Sequence, residues 1–191
     1  VDAESMDIIL VPATHCYFDL KYERREDEPG LVWAGTTDTR DAYSYQPIQP
    51  NFTKKQRDHI LGLSSCLWSE TIIYLERADY MLFPRLCAFA EVCWSSQEGR
   101  SWDEFNERLH ARHLTRLDRQ DVVYRVPPPS AQLTEHGLII TPPFPSAQVH
   151  FTLDGSDPDR DSPLYTVPIH LSPDDQLRFA TMTQAGRLSR I

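Results

Sequence analysis

An aromatic side chain and a carboxylate follow each of two short apolar stretches in this sequence. Tyr17 and Asp19 follow the first stretch, and Trp68 and Glu70 follow the second. Sugars bind to flat apolar faces on which their rings stack and to charged acceptors for their hydroxyl groups. These four side chains therefore predict a site for a polyhydroxylated ligand. Each also has a structural alternative, since the aromatic rings could lie in a core and the carboxylates could pair with arginines.

The two apolar stretches have the pattern of parallel β-strands. Residues 61–67 are uncharged, as expected for a strand that is buried on both faces, and residues 7–13 are strand-like. In an α/β barrel the functional groups lie at the carboxyl ends of the strands. We therefore expect the two strands to bring the four side chains to one end of a barrel.

Helices are predicted on both sides of the second strand. Residues 37–43 indicate a short helix that is capped by Thr37 or Asp38. An apolar residue recurs every four positions over 82–94, which predicts a helix with Pro84 in its first turn. Ser101 begins a capping-box pattern and predicts a further helix. The apolar stripe of that helix consists of Phe105, Leu109, Leu114 and Leu117.

The character of the sequence changes towards its end. A Pro-rich stretch over 123–130 is typical of a stiff linker, and residues 131–191 have no helical periodicity. Strands are predicted at 138–141, 148–153 and 177–181. We therefore expect an α/β part over 1–122, then the linker, then a small antiparallel β-sandwich. A cluster of aspartates in this module indicates turns rather than a calcium site, because its spacing departs from the EF-hand loop.

Composition narrows the class of ligand. The net charge of −9 argues against nucleic acid or an anionic membrane as partner, and no apolar run reaches the ~18 residues of a membrane span. The histidines and cysteines lack metal-ligand spacing, so we expect neither a metal nor a cofactor. We expect buried free thiols at all four cysteines, which are Cys16, Cys66, Cys87 and Cys93.

The first residues bear on how the chain begins. Residues 1–6 are polar and indicate the end of a preceding helix. The sequence has no initiator Met and no basic-then-apolar leader. We therefore expect the chain to begin inside a larger protein or after processing.

Several separated motifs, taken in order, resemble the C-terminal part of the family 20 glycoside hydrolases, the β-N-acetylhexosaminidases. The matching stretches are Tyr17-Phe18-Asp19, Glu28-Pro29-Gly30 with Trp33, Ala42-Tyr43 with Gln46-Pro47, Leu61-Gly62, Leu67-Trp68-Ser69-Glu70 and residues 83–95. The tail resembles the immunoglobulin-like C-terminal domain of some bacterial hexosaminidases and chitobiases at residues 151–158, 162–165 and 186–189. The resemblance implies an α/β fold class. Its parts are the last two βα units of a TIM (β/α)8 barrel over 1–122 and a small all-β immunoglobulin-like sandwich over 131–191.

The resemblance also implies a role for each candidate residue. The family uses a substrate-assisted retaining mechanism, in which the 2-acetamido oxygen of the sugar attacks the anomeric carbon. Tyr17 matches the catalytic tyrosine whose hydroxyl binds that acetamide oxygen. Asp19 and Glu70 match carboxylates that accept hydrogen bonds from the outer sugar hydroxyls, and Trp68 matches the tryptophan that lines the −1 subsite. We expect Trp33 to be structural.

Three residues of the matching helix are expected to be structural as well. Arg85 and Glu91 are predicted to form an ion pair, and Trp94 is predicted to lie in the core.

The Asp-Glu pair that orients the acetamide and protonates the leaving group in this family lies in a His-x-Gly-Gly-Asp-Glu-type motif. This sequence contains no such motif, and its adjacent acids at 26–28 and 103–104 fall in a loop and at a helix start. We therefore expect the rest of the barrel upstream, and no turnover by this chain alone. The parent enzyme would act on oligosaccharides or glycoconjugates with terminal GlcNAc or GalNAc, and a bacterial parent would be periplasmic or secreted.

Two other interpretations of the sequence stay open. The first is a non-catalytic carbohydrate-binding or interaction module, based on the β tail and the strand-end aromatics. The tail argues mildly against it, because it lacks tryptophan and its four aromatic residues alternate like core residues. Those aromatic residues are Phe144, Phe151, Tyr165 and Phe179. The second is an unrelated small α/β domain.

Overall fold

Two units make up the chain, and the first ends at Tyr124 while the second begins at Arg125. The structure is a computed structural model that describes residues 6–191. The helix end predicted at the start of the sequence therefore lies almost entirely outside the described residues.

Within residues 6–124, the first unit combines a pair of strands with seven short α-helices. Its elements are β1 (Ile8–Leu10), α1 (Ala13–Cys16), α2 (Thr39–Ser44), α3 (Lys54–Asp58), β2 (Ile60–Leu63), a 3-10 turn (Ser69–Thr71), α4 (Leu75–Leu82), α5 (Arg85–Trp94), a second 3-10 turn (Gln97–Gly99), α6 (Trp102–Arg108), a π-helical turn (Leu109–His113) and α7 (Leu114–Asp118).

The strands β1 and β2 pair in parallel, and both are shorter than the stretches over which the sequence predicts strands. The prediction of a second strand that is buried on both faces is wrong for this structure, because Leu61 is exposed. The physical reason is that β1 and β2 form a two-stranded sheet, and the residues described here provide no flanking strand. They accordingly close no barrel.

Side-chain caps fix the helices around β2. The Asp41 amide donates to Asp38 Oδ1 at 2.7 Å and the Asp38 amide donates back to Asp41 at 2.9 Å, which confirms Asp38 as the cap of α2. Thr53 and Gln56 form the same capping box at the start of α3. The sequence did not predict α3, because its residues are polar and carry no apolar periodicity.

The helix predicted over 82–94 is two helices in the structure. Pro84 is the residue before α5 rather than part of its first turn, and α4 ends at Leu82. The predicted apolar stripe is also wrong, because the buried face of α5 consists of Arg85, Ala88, Phe89 and Val92. Trp94 is 91% exposed at the last position of the helix, so the prediction of a core residue there is wrong as well.

The following helices agree with the sequence. The Ser101 side chain accepts a hydrogen bond from the Glu104 amide at the start of α6. All four residues of the predicted apolar stripe are buried, namely Phe105, Leu109, Leu114 and Leu117.

The second unit consists of two antiparallel strand pairs with a shared core. Its strands are β3 (Ser130–Thr134), β4 (Gly137–Thr141), β5 (Gln148–Thr152) and β6 (Arg178–Met182), and they pair as β3–β4 and β5–β6. The core residues are Ile140, Val149 and Ile169, with Leu138, Phe151, Tyr165, Leu177 and Phe179 packed against them. Three strands were predicted and β3 was not. Ser130, which the sequence assigned to the linker, is the first residue of β3, and the rest of the linker stays a prediction.

Two aspartates of the predicted cluster accept hydrogen bonds within turns. Asp154 Oδ1 accepts from the Ser156 amide at 3.0 Å, and Asp159 Oδ1 accepts from the Asp161 amide at 2.9 Å. Hydrogen bonds donated by the Ser156 hydroxyl and amide lower the pKa of the Asp154 carboxyl. These contacts are those of Asx turns, as the sequence predicts.

Candidate functional site

The backbone that follows β1 returns to the extension of β2 and places Tyr17 at the end of the strand pair. After α1, the Cys66 amide donates to the Cys16 carbonyl at 2.9 Å and the Phe18 amide donates to the Cys66 carbonyl at 2.7 Å. Tyr17 and Cys66 are thus paired in parallel. Because side chains alternate along a strand, Trp68 lies on the same side as Cys66, next to Tyr17.

Three aromatic rings meet at this strand end, and we call Tyr17, Trp33 and Trp68 the aromatic cluster. The ring centroids of Tyr17 and Trp68 are 6.3 Å apart, and those of Tyr17 and Trp33 are 5.8 Å apart at 73°. Trp33 is 63% exposed and Trp68 is 52% exposed. The cluster therefore offers open ring faces, and Trp33 contributes one of its three rings.

A close approach of two backbone segments brings Trp33 to the cluster. The Leu31 amide donates to the Asp19 carbonyl and the Lys21 amide donates to the Leu31 carbonyl, both at 2.8 Å. Gly30 precedes this contact with a φ of +114°, and a Cβ atom there would lie 2.7 Å from the Asp19 carbonyl oxygen. Glycine is therefore required at this position for the loop to pack against the strand.

Asp19 is the most unusual group of the site. Its side chain is 1% exposed, and neither carboxylate oxygen has a hydrogen-bond partner among residues 6–191. A buried carboxylate without a partner is unfavourable by several kcal/mol, as an order of magnitude. The alternative of a salt bridge to an arginine is therefore not found within the described chain. An acceptor of this kind requires a donor from a ligand or from another part of the protein.

Glu70 lies two residues beyond Trp68 in the 3-10 turn Ser69–Thr71 and is exposed. Its carboxylate forms no ion pair with the described residues, so the arginine alternative is not found here either. The structure thus joins Tyr17 and Trp68 with Trp33, buries Asp19 in the same segment and leaves Glu70 open to solvent.

Arg85 lies beneath the segment that carries Tyr17 and Asp19. Its side chain is fully buried, and its guanidinium donates to the carbonyl oxygens of Phe18 at 2.6 Å and Leu20 at 2.8 Å. The predicted ion pair between Arg85 and Glu91 is wrong. Glu91 lies six residues along α5, on another side of the helix, where it accepts from Arg108 at 2.6 Å.

The buried thiol next to the site, Cys16, is not a nucleophile at neutral pH. Burial, together with the neighbouring thiols of Cys93 and Cys66, raises the pKa of Cys16 to about 12, so its thiol stays protonated at neutral pH. All four cysteines are free, as predicted. The prediction that all are buried holds only for Cys16, because Cys66 and Cys87 are half-buried and Cys93 is exposed near the end of α5.

No group of three or more His, Cys, Asp or Glu side chains within residues 6–191 could hold a metal ion. Within the same range, no helix has the length and apolar character that crossing a membrane requires.

Known proteins resemble both units. The family described as "Glycosyl hydrolase family 20, catalytic domain" matches residues 1–97, and "Chitobiase/beta-hexosaminidase C-terminal domain" matches residues 128–191. A beta-N-acetylhexosaminidase of Cellulomonas fimi is 36% identical over 59% of this chain and 22% of its own length. A beta-hexosaminidase of Porphyromonas gingivalis is 27% identical over 97% of this chain and 25% of its own length. The chain thus spans about a quarter of the length of these relatives.

Solved structures agree with the family match. The GH20 exo beta-N-acetylglucosaminidase of Vibrio harveyi, in complex with N-acetylglucosamine, superimposes with a TM-score of 0.58 and 38% identity over 63% of this chain and 19% of its own. The N-acetyl-beta-hexosaminidase of Streptomyces plicatus gives a TM-score of 0.55 and 32% identity over 62% of this chain and 23% of its own. The first unit has the fold of the C-terminal βα units of a TIM barrel, and a chitobiase-type β domain follows it. Since the family match covers 97 of 191 residues, the chain belongs to glycosyl hydrolase family 20.

Proposed function

We propose that this chain supplies one wall of the −1 subsite of a β-N-acetylhexosaminidase that removes terminal GlcNAc or GalNAc. The observation that carries the proposal is the open aromatic cluster, together with the buried carboxylate of Asp19 in the same segment. Such a combination fits a ligand with apolar ring faces and hydroxyl donors. Several relatives are named beta-hexosaminidase, and the Vibrio harveyi structure holds N-acetylglucosamine, which supports the same class of substrate.

Trp68 and Tyr17 would bind the reacting half of the sugar. The exposed face of Trp68 packs against the sugar ring and the methyl of its N-acetyl group. The Tyr17 hydroxyl donates to the acetamide oxygen and holds it near the anomeric carbon. This bond would accelerate the reaction by positioning, because it holds the acetamide oxygen in a fixed geometry relative to the anomeric carbon.

Asp19 and Glu70 would bind the outer hydroxyl groups. Charge-assisted hydrogen bonds of this kind contribute about 1.5–3 kcal/mol each. A hydroxyl donor would also satisfy the buried Asp19 carboxylate, which has no partner among the described residues. Sugar binding therefore removes an unfavourable feature of the unliganded site.

The proposed reaction is substrate-assisted and retains the anomeric configuration. The acetamide oxygen of the substrate attacks the anomeric carbon while the glycosidic oxygen leaves with a proton, and water then opens the cyclic intermediate. An Asp-Glu pair from upstream barrel strands would orient the acetamide and supply that proton. Residues of this chain bind and position the sugar, and we propose that the chain alone does not turn over substrate.

The substitution Tyr17→Phe tests the proposal in the complete protein. Hydrolysis of a chromogenic N-acetyl-β-glucosaminide should lose roughly 10²–10³-fold in kcat, the range for removing one oxyanion-directed donor. Tyr124→Phe is the matched control, since it removes a hydroxyl of a buried tyrosine that donates to Asp118 at 3.2 Å. It should leave kcat unchanged.

Three results would overturn the proposal. The first is a complete protein that does not hydrolyse the substrate. The second is a Tyr17→Phe variant with the kcat of the unmodified protein. Turnover by residues 1–191 alone would show that the catalytic acid lies within this chain.

A further inference from the structure

We infer that Arg85 is a positioning residue that holds the Tyr17–Asp19 segment in the geometry needed to bind the sugar. The inference rests on the proposed function of that segment. Arg85 touches none of the faces that would bind substrate, because its side chain is fully buried beneath the backbone. Its action is therefore indirect, through the main chain that carries the site.

The contacts of Arg85 bracket Asp19. Its guanidinium donates to the carbonyl of Phe18, the residue before Asp19, and to the carbonyl of Leu20, the residue after it. One planar group thus fixes the peptide units on both sides of the proposed sugar acceptor. A rotation or shift of the Asp19 backbone would break at least one of these bonds.

The same guanidinium ties the segment to two other elements. It donates to the Thr37 carbonyl at 2.9 Å, and its Nε donates to the Met81 carbonyl in α4 at 3.0 Å. The buried Thr37 hydroxyl donates in turn to the Thr14 carbonyl at 3.0 Å, in the α1 turn just before Tyr17. Arg85 therefore connects the segment before Tyr17, the residues around Asp19 and the end of α4.

The chemistry of these contacts requires an arginine. The guanidinium carbon lies 3.8 Å from the ring centroid of Tyr22 and 5.1 Å from that of Phe18, so the planar group packs between aromatic rings while its edge donates to carbonyls. A lysine ammonium has three donors on a compact head and cannot reproduce this arrangement. Burial of a cation is unfavourable unless hydrogen bonds compensate for its lost hydration, as the bonds of Arg85 do. An apolar side chain at this position would leave the carbonyl oxygens of Phe18, Leu20, Thr37 and Met81 with fewer donors.

Loss of these bonds should act on binding as much as on stability. A displacement of about 1 Å at a reacting centre lowers rates by roughly 10²-fold. Arg85→Lys should therefore lower kcat/KM of the complete protein by about 10²-fold and weaken inhibition by N-acetylglucosamine. Thr37→Val removes only the hydroxyl bond to Thr14 and should lower kcat/KM by about 5-fold, the effect of one neutral hydrogen bond.

Arg100 provides the matched control. Its guanidinium also donates to two main-chain carbonyls, those of Tyr43 at 3.2 Å and Tyr45 at 3.0 Å, at the end of α2. Arg100→Met should lower the unfolding temperature without a comparable loss of kcat/KM. The measurements are kcat, KM, the inhibition constant of N-acetylglucosamine and the unfolding temperature of each variant.

The outcomes separate this inference from the proposed function. An unmodified protein without activity contradicts the proposed function itself. An active protein in which Arg85→Lys keeps the unmodified kcat/KM overturns the role of Arg85. The role is also overturned if Arg100→Met and Arg85→Lys lose activity in the same proportion to their loss of stability. If Arg85→Lys does not fold, a folded Thr37→Val protein with unchanged kcat/KM overturns it instead.

Discussion

The substitution Gly30→Ala, which adds a single methyl group, should lower the free energy of unfolding by a clearly measurable amount. A Cβ atom at this position would lie 2.7 Å from the Asp19 carbonyl oxygen and 2.9 Å from the Lys21 nitrogen, in addition to 2.8 Å from the Met81 methyl. The first two atoms belong to backbone groups that hydrogen-bond to Leu31, so neither can move without breaking a bond. Only the Met81 methyl can be displaced at low free-energy cost.

The magnitude of the Gly30→Ala effect follows from two contributions. The φ of +114° is one that alanine rarely adopts, and such backbone strain costs about 1–3 kcal/mol. The overlap with fixed backbone atoms adds about 1–3 kcal/mol, the range for overpacking. The free energy of unfolding should therefore fall by roughly 2–6 kcal/mol.

Gly35→Ala separates the two contributions. Gly35 has a φ of +104° but no atom within 4 Å of its added Cβ, so this variant carries the strain without the overlap. Urea unfolding followed by tryptophan fluorescence should show Gly30→Ala to be less stable than Gly35→Ala by about 1–3 kcal/mol. Equal losses in the two variants would refute the close approach of the loop to Asp19.

Three further predictions concern charge. Asp19→Asn should raise the inhibition constant of N-acetylglucosamine for the complete protein by roughly 10–150-fold. The free energy of unfolding should not fall, because the variant removes a buried charge. An unchanged inhibition constant would exclude Asp19 as an acceptor for a sugar hydroxyl. Burial lowers the pKa of His110 to about 4, so the unfolded chain takes up its proton first as pH falls below about 6.5. The contribution of His110 to the free energy of unfolding should be constant above that pH and decline by up to about 3 kcal/mol towards pH 4. His110→Gln should therefore make the decline in urea titrations across this range less steep, and an undiminished slope in the variant would contradict this role of His110. Glu91→Gln should reduce the free energy of unfolding by less than about 1 kcal/mol, because its partner Arg108 is 41% exposed, and a larger loss would contradict that estimate.

The sequence predicted the elements that local patterns determine. The helix α2 with a cap at Thr37 or Asp38, the apolar stripe of α6 and α7, and the strands β4, β5 and β6 follow from capping chemistry and periodicity over a few residues, and the structure selects Asp38 as the cap. The two apolar stretches were also predicted to be strands of the parallel type, and the structure shows that they pair with each other.

The remaining features depend on contacts that a local pattern does not contain. Arg85 binds carbonyls 65 and 67 residues away, so the nearby Glu91 was the wrong partner to predict. Leu61 is exposed because the described sheet has only two strands. The residues of a strand do not reveal how many neighbouring strands cover it. Trp33 reaches the aromatic cluster through the positive φ of Gly30. The Glu28-Pro29-Gly30 stretch was the one available signal for this turn.

A crystal structure of the complete protein with N-acetylglucosamine tests the central claim most directly. We predict the sugar against the Trp68 face, with a hydroxyl within hydrogen-bond distance of the Asp19 carboxylate and the acetamide oxygen at the Tyr17 hydroxyl. A sugar bound away from the aromatic cluster would contradict the account. An Asp19 carboxylate paired with a protein cation from outside this chain would contradict it equally.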